Sequence, residues 1–314
     1  MVRSGSRAES SLTGGKQVTK RNNILYSQKL APYIFVLPFI ISFCLFFAYP
    51  VYSTVIMSFQ EVFPGQVTFV GLDNYKELWN PTFFKAVKNS TIYTVLTLLV
   101  LIPVPLVLAV FLNSKKMKAK NFFRSVTFIP ALISIVVLGI IFRLMFGGQE
   151  TALMNQFIGL FGLEKIAWLN SASTSMLVLL VIATFRWIGV NLLYFLAGLQ
   201  NIPHSLYESA EIDGASTWVK FTRITMPLLK PISIYVLTIS IYGGYSMFVE
   251  SYMLYAGNKS PNDIGLTIVG YLYRTGLEKG ELGFGSAVGI TLLLLTLAIT
   301  FIQLKFFGMF KREE

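Results

Sequence analysis

The stretch YESAEIDGASTWVKFTRITMP, Tyr207 to Pro227, interrupts an otherwise strongly apolar chain and decides how the fold is interpreted. Glu208 and Glu211 are three residues apart, so they lie on one face if the segment is helical. Gly214 follows them and can end that helix, because glycine readily adopts the left-handed conformation of a helix C-terminus. The first half of the stretch therefore predicts a short helix that ends in a glycine turn.

The second half of the stretch also has helical periodicity. Trp218, Phe221 and Ile224 recur at three-residue spacing, which predicts a second short amphipathic helix. Pro227 lacks the N–H that the first turn of a helix leaves unpaired in any case, so we expect a new membrane helix to begin there. The whole stretch thus predicts a helix, a glycine turn and a second helix between two membrane spans.

The spacing resembles the EAA loop of the permeases of binding-protein-dependent ABC transporters. That loop reads Glu-Ala-Ala, three residues, Gly, nine residues, Ile, any residue, Leu-Pro. The matching positions, with every spacing kept, are Glu208-Ser209-Ala210, Gly214, Ile224 and Met226-Pro227. Ser209 stands in place of Ala and Met226 in place of Leu, and both changes are small or volume-conserving.

The flanks of the loop resemble the carbohydrate-uptake branch of this family. LAGLQNIP precedes the loop, and LKPISIYVLTIS, which follows it, looks closest to permeases for arabinose-containing oligosaccharides. The resemblance covers about residues 30 to 310 and implies an all-α polytopic membrane protein with six transmembrane helices, in the type I architecture of ABC importer permeases. The residues that it implies for coupling to an ATPase are Glu208, Ser209, Ala210, Asp213, Gly214, Trp218, Ile224 and Pro227.

The resemblance also implies an assembly and a location. The partners would be a homologous second permease subunit, two copies of a cytoplasmic ATPase subunit and an extracytoplasmic sugar-binding protein. ATP and Mg would be bound by the ATPase, with no cofactor in this chain. The location would be the bacterial cytoplasmic membrane.

The composition is that of a membrane protein rather than a soluble domain. Of the 314 residues, 54% are hydrophobic and only 13% are charged. The net charge of +11 comes from basic residues beside apolar runs, which favours contact with membrane lipid over nucleic acid. The sequence contains no Walker-type loop, no metal-ligand cluster and no Ser/His/Asp arrangement, so we expect the chain not to be an enzyme.

Apolar runs long enough to cross a bilayer recur six times along the chain. The predicted spans are residues 33–59, 91–112, 128–146, 174–199, 227–249 and 284–307. A disordered, basic, cytoplasmic tail is predicted at 1–29, and a transmembrane permease domain at 30–310 with its coupling loop at 200–227. Pro103 and Pro105 predict a kink in the second span, and Gly285 and Gly289 would permit close packing of the sixth.

The loops between the spans supply a topology. Seventeen of the 26 basic residues fall in segments placed inside and eight in segments placed outside, so the positive-inside rule predicts that both termini are cytoplasmic. The predicted outer loops are 60–88, 149–171 and 251–282. The first is expected to be polar, with turns at Pro64-Gly65 and Asn80-Pro81. The second has apolar residues at helical spacing from Leu153 to Phe161, which predicts a short helix on the membrane face.

Polar and aromatic side chains in two spans suggest a path for the substrate. A charge within a span is costly and must face protein or water, and aromatic rings beside hydrogen-bonding groups suit a sugar. The candidate residues are Arg186, Trp187, Asn191 and Tyr194 in the fourth span and Tyr242, Tyr245, Ser246 and Glu250 in the fifth. The alternative for Arg186 and Glu250 is an interhelical ion pair that only stabilises the protein.

The sequence bears differently on three classes of function. An ATP-driven importer of a carbohydrate, delivered by a binding protein, agrees with the loop and its predicted cytoplasmic position. A carrier driven by an ion gradient would need coupling carboxylates within the spans and an internal repeat, and Glu250 is the only candidate carboxylate. A membrane-embedded enzyme would need paired acids, metal ligands or an activated nucleophile in the spans, and none appears there.

Overall fold

The computed structural model describes residues 30–63, 65–114 and 117–308. The predicted tail at 1–29 lies outside the described residues, as do Lys115, Lys116 and the chain after Gly308. By its internal contacts the chain divides into two compact units, one that reaches to Ser53 and one that begins at Thr54.

The first unit contains an apolar helix that agrees with the predicted first span. Helix α1 (Ala31–Phe43) continues through a π-helical turn, Cys44–Ala48, into α2 (Tyr49–Met57), whose last residues belong to the second unit. No residue of α1 is buried, although nearly all of its side chains are apolar. Such a surface is suited to lipid or to another membrane helix rather than to water.

The prediction of a polar loop at 60–88 is wrong, because most of this segment forms regular elements. Strands β1 (Gln60–Phe63) and β2 (Gln66–Phe69) form an antiparallel hairpin, and α3 (Asp73–Glu77) follows. Asn74 of α3 is buried and donates to the backbone carbonyls of Ser58 and Gln60, each at 2.9 Å. This side chain therefore attaches α3 to the turn after α2 and to the start of β1 by donating to two backbone carbonyls there.

The second span begins ten residues earlier than predicted. Helix α4 (Pro81–Leu101) starts directly after Asn80, whose side chain accepts a hydrogen bond from the Phe83 amide at 2.9 Å. Asn80-Pro81 is thus a helix cap followed by proline in the first turn, rather than a loop turn. The predicted kink is present: α4 ends before Pro103, and α5 (Pro103–Asn113) continues the span after a one-residue break at Ile102.

The third span is not the single helix that was predicted at 128–146. Helices α6 (Lys120–Leu132) and α7 (Ile135–Met145) meet at an angle of 93°. Ile133, between them, is extended, with ψ of 137°, and Pro130 in the last turn of α6 cannot donate a backbone hydrogen bond. The proline weakens the helix where the chain turns.

The second outer loop contains the predicted short helix, α8 (Leu153–Gly159). Its Asn155 is buried and holds the loop together. The Asn155 amide donates to the carbonyls of Gly147, Gln149 and Ile166, and its oxygen accepts from the Trp168 indole at 2.9 Å. The loop is therefore an ordered structure around one polar side chain.

Helix α9 (Ala172–Gln200) is the fourth predicted span and connects two parts of the core. Leu179 and Ile182 lie in one apolar cluster with Phe142 of α7, whereas Leu192 and Phe195 lie in another with Leu106 of α5. The close approach of α6 requires Gly189, because a Cβ there would overlap the Thr127 backbone carbonyl. Leu177, Val181 and Phe185 of the same helix are exposed, and apolar side chains on an exposed face of a membrane span are suited to lipid.

The chain after α9 contains the EAA-like stretch and the fifth span. The elements are α10 (His204–Ile212), α11 (Thr217–Lys220), a π-helical turn Phe221–Thr225, α12 (Met226–Leu228) and α13 (Lys230–Tyr245). The chain bends by 65° between the segment Thr217–Leu228 and α13. The prediction that Pro227 opens the membrane helix is therefore wrong: Pro227 lies before the bend, and Pro231 occupies the first turn of α13.

The third outer segment, predicted as a loop at 251–282, is mostly helical. Its elements are α14 (Val249–Leu254), a 3₁₀ turn Pro261–Asp263, α15 (Ile268–Leu272) and a π-helical turn Tyr273–Glu278, before the last span, α16 (Leu282–Phe306). Arg274 bonds Asp263 at 2.8 Å and the Asn258 carbonyl at 2.6 Å. Gly285 permits the predicted close packing of the sixth span, and the neighbour is the π-helical turn at Gly276. A Cβ added at Gly285 would lie only 2.7 Å from the Gly276 Cα.

Within the described residues, four helices are long and apolar enough to cross a membrane, and two bent pairs bring the number to as many as six. Apart from the one short hairpin, the regular elements in this part of the chain are helical. The predicted all-α polytopic fold is therefore confirmed.

Candidate functional site

The EAA-like stretch folds as a helix, a glycine turn and a second helical segment. Gly214 has φ of +74°, the left-handed conformation that ends α10. The Ala215 amide donates to the Ala210 carbonyl at 2.8 Å, and the Gly214 amide donates to the Glu211 carbonyl at 3.0 Å. These bonds satisfy the last carbonyls of α10 and reverse the chain.

Two side-chain contacts hold the halves of the loop together. The Lys220 ammonium lies 2.7 Å from a Glu211 carboxylate oxygen, and the hydroxyls of Tyr207 and Thr225 are 2.8 Å apart. The Glu211 carboxylate is largely exposed, so this ion pair is worth at most about 1 kcal/mol. Its effect is mainly to fix the angle between α10 and the segment that follows Gly214.

The loop presents an exposed surface with both polar and apolar groups. Ile212 is 87% exposed and Trp218 70% exposed, at either side of the glycine turn. Trp218 was predicted for coupling and Ile212 was not. Of the remaining predicted residues, Glu208, Ser209, Asp213, Gly214 and Pro227 are exposed, whereas Ala210 and Ile224 are half-buried. Two large exposed apolar side chains on a short, rigid turn are typical of a surface that another protein covers.

A cavity of about 410 Å³ lies between α4, α9, α13 and the chain that follows α13. This volume falls in the range of about 300–1,000 Å³ that is usual for small-molecule sites. Of the eight residues predicted for the substrate path, the cavity is lined by Trp187, Asn191, Tyr194, Tyr242, Ser246 and Glu250. The structure thus brings six of the predicted residues together around one space.

The lining of this cavity does not include Tyr245 or Arg186. Tyr245 is buried in the apolar cluster of Ile268 and Phe284, and its hydroxyl lies 3.1 Å from the Thr91 hydroxyl. Its place in the predicted path is therefore corrected to a core residue. Tyr242 and Tyr245 are three residues apart, so sequence spacing alone predicts similar sides of α13. The packing of Tyr245 against Thr91 of α4 places its side chain in the core instead.

Arg186 is held beside Trp187 rather than in an ion pair. Its guanidinium carbon lies 5.2 Å from the centroid of the Trp187 ring, which is within cation–π range. Its Nε and Nη1 are buried without a hydrogen-bond partner. Over the described residues no ion pair within 4.0 Å joins Arg186 to Glu250, so the predicted brace is not formed in this conformation.

Ser246 and Glu250 were predicted in the fifth span, and that placement is wrong. Helix α13 ends at Tyr245, and Glu250 is a buried residue of α14. Gly244 lets α13 approach α4, since a Cβ there would lie 2.5 Å from the Thr94 hydroxyl. The Glu250 carboxylate lines the cavity from α14, a separate short helix after the end of α13.

Asn191 has a structural task in addition to lining the cavity. Its amide donates to the Leu101 carbonyl at 2.8 Å. The normal helical partner of that carbonyl would be the amide of residue 105, which is a proline and has none. Asn191 therefore satisfies the backbone group that the α4–α5 kink leaves free, as membrane proteins require.

The sequence interpretation missed lining residues on α4 and after α13. Tyr93 and Thr97 are four residues apart on one face of α4, and Phe248 precedes α14. The i, i+4 spacing of polar groups in an apolar helix was the available signal. The described residues hold no group of three or more His, Cys, Asp or Glu that could bind a metal ion.

A family model described as the binding-protein-dependent transport system inner membrane component matches residues 101–307, more than half of the chain. The chain belongs to this family. The predicted permease family is thereby confirmed, and the location is an inner membrane.

Curated relatives of this inner membrane component place it in the carbohydrate branch, as the resemblance implied. It is 55% identical to the arabinooligosaccharides transport system permease protein AraP of Bacillus subtilis (strain 168), over 93% of each chain. It is also 30% identical to the lactose transport system permease protein LacF of Rhizobium radiobacter, over 91% of this chain and 96% of the relative.

A solved transporter has the same fold as this inner membrane component. The structure is that of a bacterial ABC transporter involved in the import of the acidic polysaccharide alginate. The TM-score is 0.75, with 90% of this chain and 96% of the other covered, at 24% identity. The predicted architecture of an ABC importer permease is therefore confirmed.

Proposed function

We propose that this permease translocates arabinose-containing oligosaccharides across the cytoplasmic membrane as one subunit of an ATP-driven importer. The observation that carries the proposal is the cavity, in which the aromatic rings of Trp187, Tyr194 and Tyr242 accompany the polar groups of Asn191 and Glu250. Rings pack against the C–H faces of sugars, and the polar groups pair with hydroxyls. The 55% identity to an arabinooligosaccharides permease supports the choice of sugar.

The coupling loop supports the assembly that we propose. An importer of this kind needs a contact through which ATP hydrolysis moves the spans, since the chain has no nucleotide-binding loop of its own. The exposed turn around Gly214 is that contact for a cytoplasmic ATPase, which binds ATP and Mg and is present in two copies. A second, homologous permease and an extracytoplasmic sugar-binding protein complete the importer, and this chain catalyses no reaction.

The energy source is tested by uptake of a labelled arabino-oligosaccharide into vesicles that contain the complete transporter. We expect uptake to require internal ATP and the binding protein, and to be unchanged when an ionophore collapses the proton gradient at constant ATP. The control is an ATPase variant that cannot hydrolyse ATP. Uptake that persists in that control and stops with the ionophore would instead establish a secondary carrier.

The orientation is tested by reporters fused within the loops. The excess of basic residues in the proposed inner segments leads us to expect a cytoplasmic signal after Lys118 and an external signal near Asn262. Each site is probed with two reporters of opposite specificity, one active only inside and one only outside. The reverse labelling would place the Gly214 loop outside, away from any ATPase, and would contradict the proposed coupling.

A further inference from the structure

Three aromatic rings contact one another at the edge of the cavity, and one of them lines it. Phe248 lines the cavity, and its ring centroid lies 5.1 Å from that of Tyr252 and 5.0 Å from that of Tyr273. The Tyr252 and Tyr273 rings are 5.5 Å apart and nearly perpendicular, at 73°. All three follow the C-terminal end of α13, which the proposed topology places on the side where the sugar arrives.

The backbone around these rings is fixed by buried hydrogen bonds. The Ser251 hydroxyl donates to the Gly265 carbonyl at 2.5 Å, and the Thr267 hydroxyl donates to the Met247 carbonyl at 2.8 Å. The Arg274 guanidinium, beside Tyr273, bonds Asp263 and the Asn258 carbonyl. The rings therefore have a set geometry before any ligand binds, and pre-organisation of this kind lowers the entropy cost of binding.

The simplest alternative is that the rings only pack α14 against the turn at Tyr273. Their exposure argues against it. Neighbouring core aromatics are closed off from solvent, with Tyr271 and Phe284 each 6% exposed. Phe248, Tyr252 and Tyr273 are instead half-buried, so each ring keeps part of its surface available.

The chemistry of the group suits a sugar ring. The Tyr252 hydroxyl is protonated at neutral pH, as tyrosine hydroxyls ordinarily are, and the neighbouring phenol of Tyr273 raises its pKa further. Rings supply an apolar surface, and the two phenols supply donors and acceptors for sugar hydroxyls. We propose that Phe248, Tyr252 and Tyr273 form a second sugar subsite, which stacks an additional ring of a linear oligosaccharide while the cavity holds its neighbours.

This subsite rests on the proposed function and adds a dependence on chain length. A short sugar fills only the cavity, whereas a longer one also contacts the outer rings. The subsite would therefore favour long substrates over short ones by the binding energy of one stacked ring. No other property of the importer requires this preference, so the preference can be tested separately.

The test compares uptake of an arabinose disaccharide with that of a hexasaccharide, in vesicles with the complete transporter and saturating binding protein. We expect Tyr252→Ala and Tyr273→Ala each to lower hexasaccharide uptake about fivefold, and to change disaccharide uptake less than about twofold. Tyr252→Phe and Tyr273→Phe keep the ring and should keep most of the hexasaccharide uptake. The matched control is Phe161→Ala, which removes an exposed aromatic ring from the other helical outer segment.

The outcomes separate the subsite from the function on which it rests. Retained disaccharide uptake in the alanine variants shows that the complex is folded and coupled. Equal losses for both sugars, or no loss for either, would overturn the subsite while leaving the proposed function in place. Failure of the unaltered transporter to import either sugar would overturn both.

Discussion

Replacing Gly214 with valine is expected to abolish uptake, whereas replacing it with asparagine should leave a measurable fraction. Gly214 has φ of +74°, and a Cβ added there would meet nothing within 4 Å. A side chain at position 214 is therefore disfavoured by backbone strain and not by lack of space. A left-handed conformation costs most residues roughly 1–2 kcal/mol, more for a β-branched residue and less for asparagine.

The strain matters because the turn at Gly214 sets the shape of the coupling surface. The bond from the Ala215 amide to the Ala210 carbonyl forms only when the residue between the helices is left-handed. A residue that resists this conformation lets α10 unwind or extend and separates Glu211 from Lys220. The exposed Trp218 would then lie at a different angle to the ATPase.

The measurement pairs uptake with co-purification of the ATPase. We expect Gly214→Val to remain in the membrane but to lose both uptake and co-purification of the ATPase. Gly214→Asn should keep part of the uptake and part of the co-purified ATPase. The control is Gly159→Ala, because Gly159 also has open space around its Cβ but has no positive φ and lies outside the cavity. Normal uptake and normal ATPase retention by Gly214→Val would show that the loop does not need its present shape.

The shape of this loop was predictable because its signals are local. A left-handed glycine, its preceding helix and the apolar spacing after it are all properties of about 20 consecutive residues, and the structure retains them. The π-helical turn Phe221–Thr225 and the bend before Lys230 were not predictable in this way. They arise where the loop segment joins a buried membrane helix, and Leu229 at the bend is fully buried.

The lining of the cavity was predictable in part for the same reason. Residue type identified Trp187, Asn191 and Tyr242 as candidates, and all three line the cavity. Residue type alone does not give rotation about a helix axis, so Tyr245 was assigned to the path although it faces the core. Tyr93 was missed because the cavity is formed by tertiary packing of α4 against α9, which one sequence does not specify.

The ends of elements were the least predictable feature, and the second span shows why. Asn80-Pro81 is compatible both with a turn and with a capped helix start. The polar composition of 60–88 favoured the turn, so the loop was predicted to extend to Lys88. The structure extends α4 past the apolar run to Pro81, so the helix begins in the polar outer segment.

A second large loss of uptake is expected from a substitution at Glu250, one of the two charged residues, with Arg186, beside the cavity. We expect Glu250→Gln to lower uptake about tenfold, because the buried carboxylate that we propose to bind sugar hydroxyls is replaced by a weaker acceptor. The thermal stability of the complex should be nearly unchanged. A brace would behave differently, since removing one partner of a buried ion pair costs about 3–5 kcal/mol.

Arg186→Met is the variant to compare with Glu250→Gln. Two nitrogens of the guanidinium are already buried without partners, so their removal breaks no bond in this conformation. Arg186 does not line the cavity, and we expect its loss to lower uptake less than the loss of the Glu250 carboxylate. The ring of Trp187, which lies against the guanidinium, should still close that side of the cavity.

The double variant decides between a brace and a path. If the two side chains act independently, the change in the free energy of unfolding for Arg186→Met with Glu250→Gln equals the sum of the single changes to within about 0.5 kcal/mol. A brace instead predicts that each single substitution destabilises the complex and that the double substitution largely restores it. Thermal unfolding of the purified complex and uptake by the same three variants distinguish these results. We expect no restoration in the double variant, because the structure places a cation–π contact and not an ion pair at Arg186. The Arg186 charge still acts on the Glu250 carboxylate through space, so a small departure from the sum is compatible with this result.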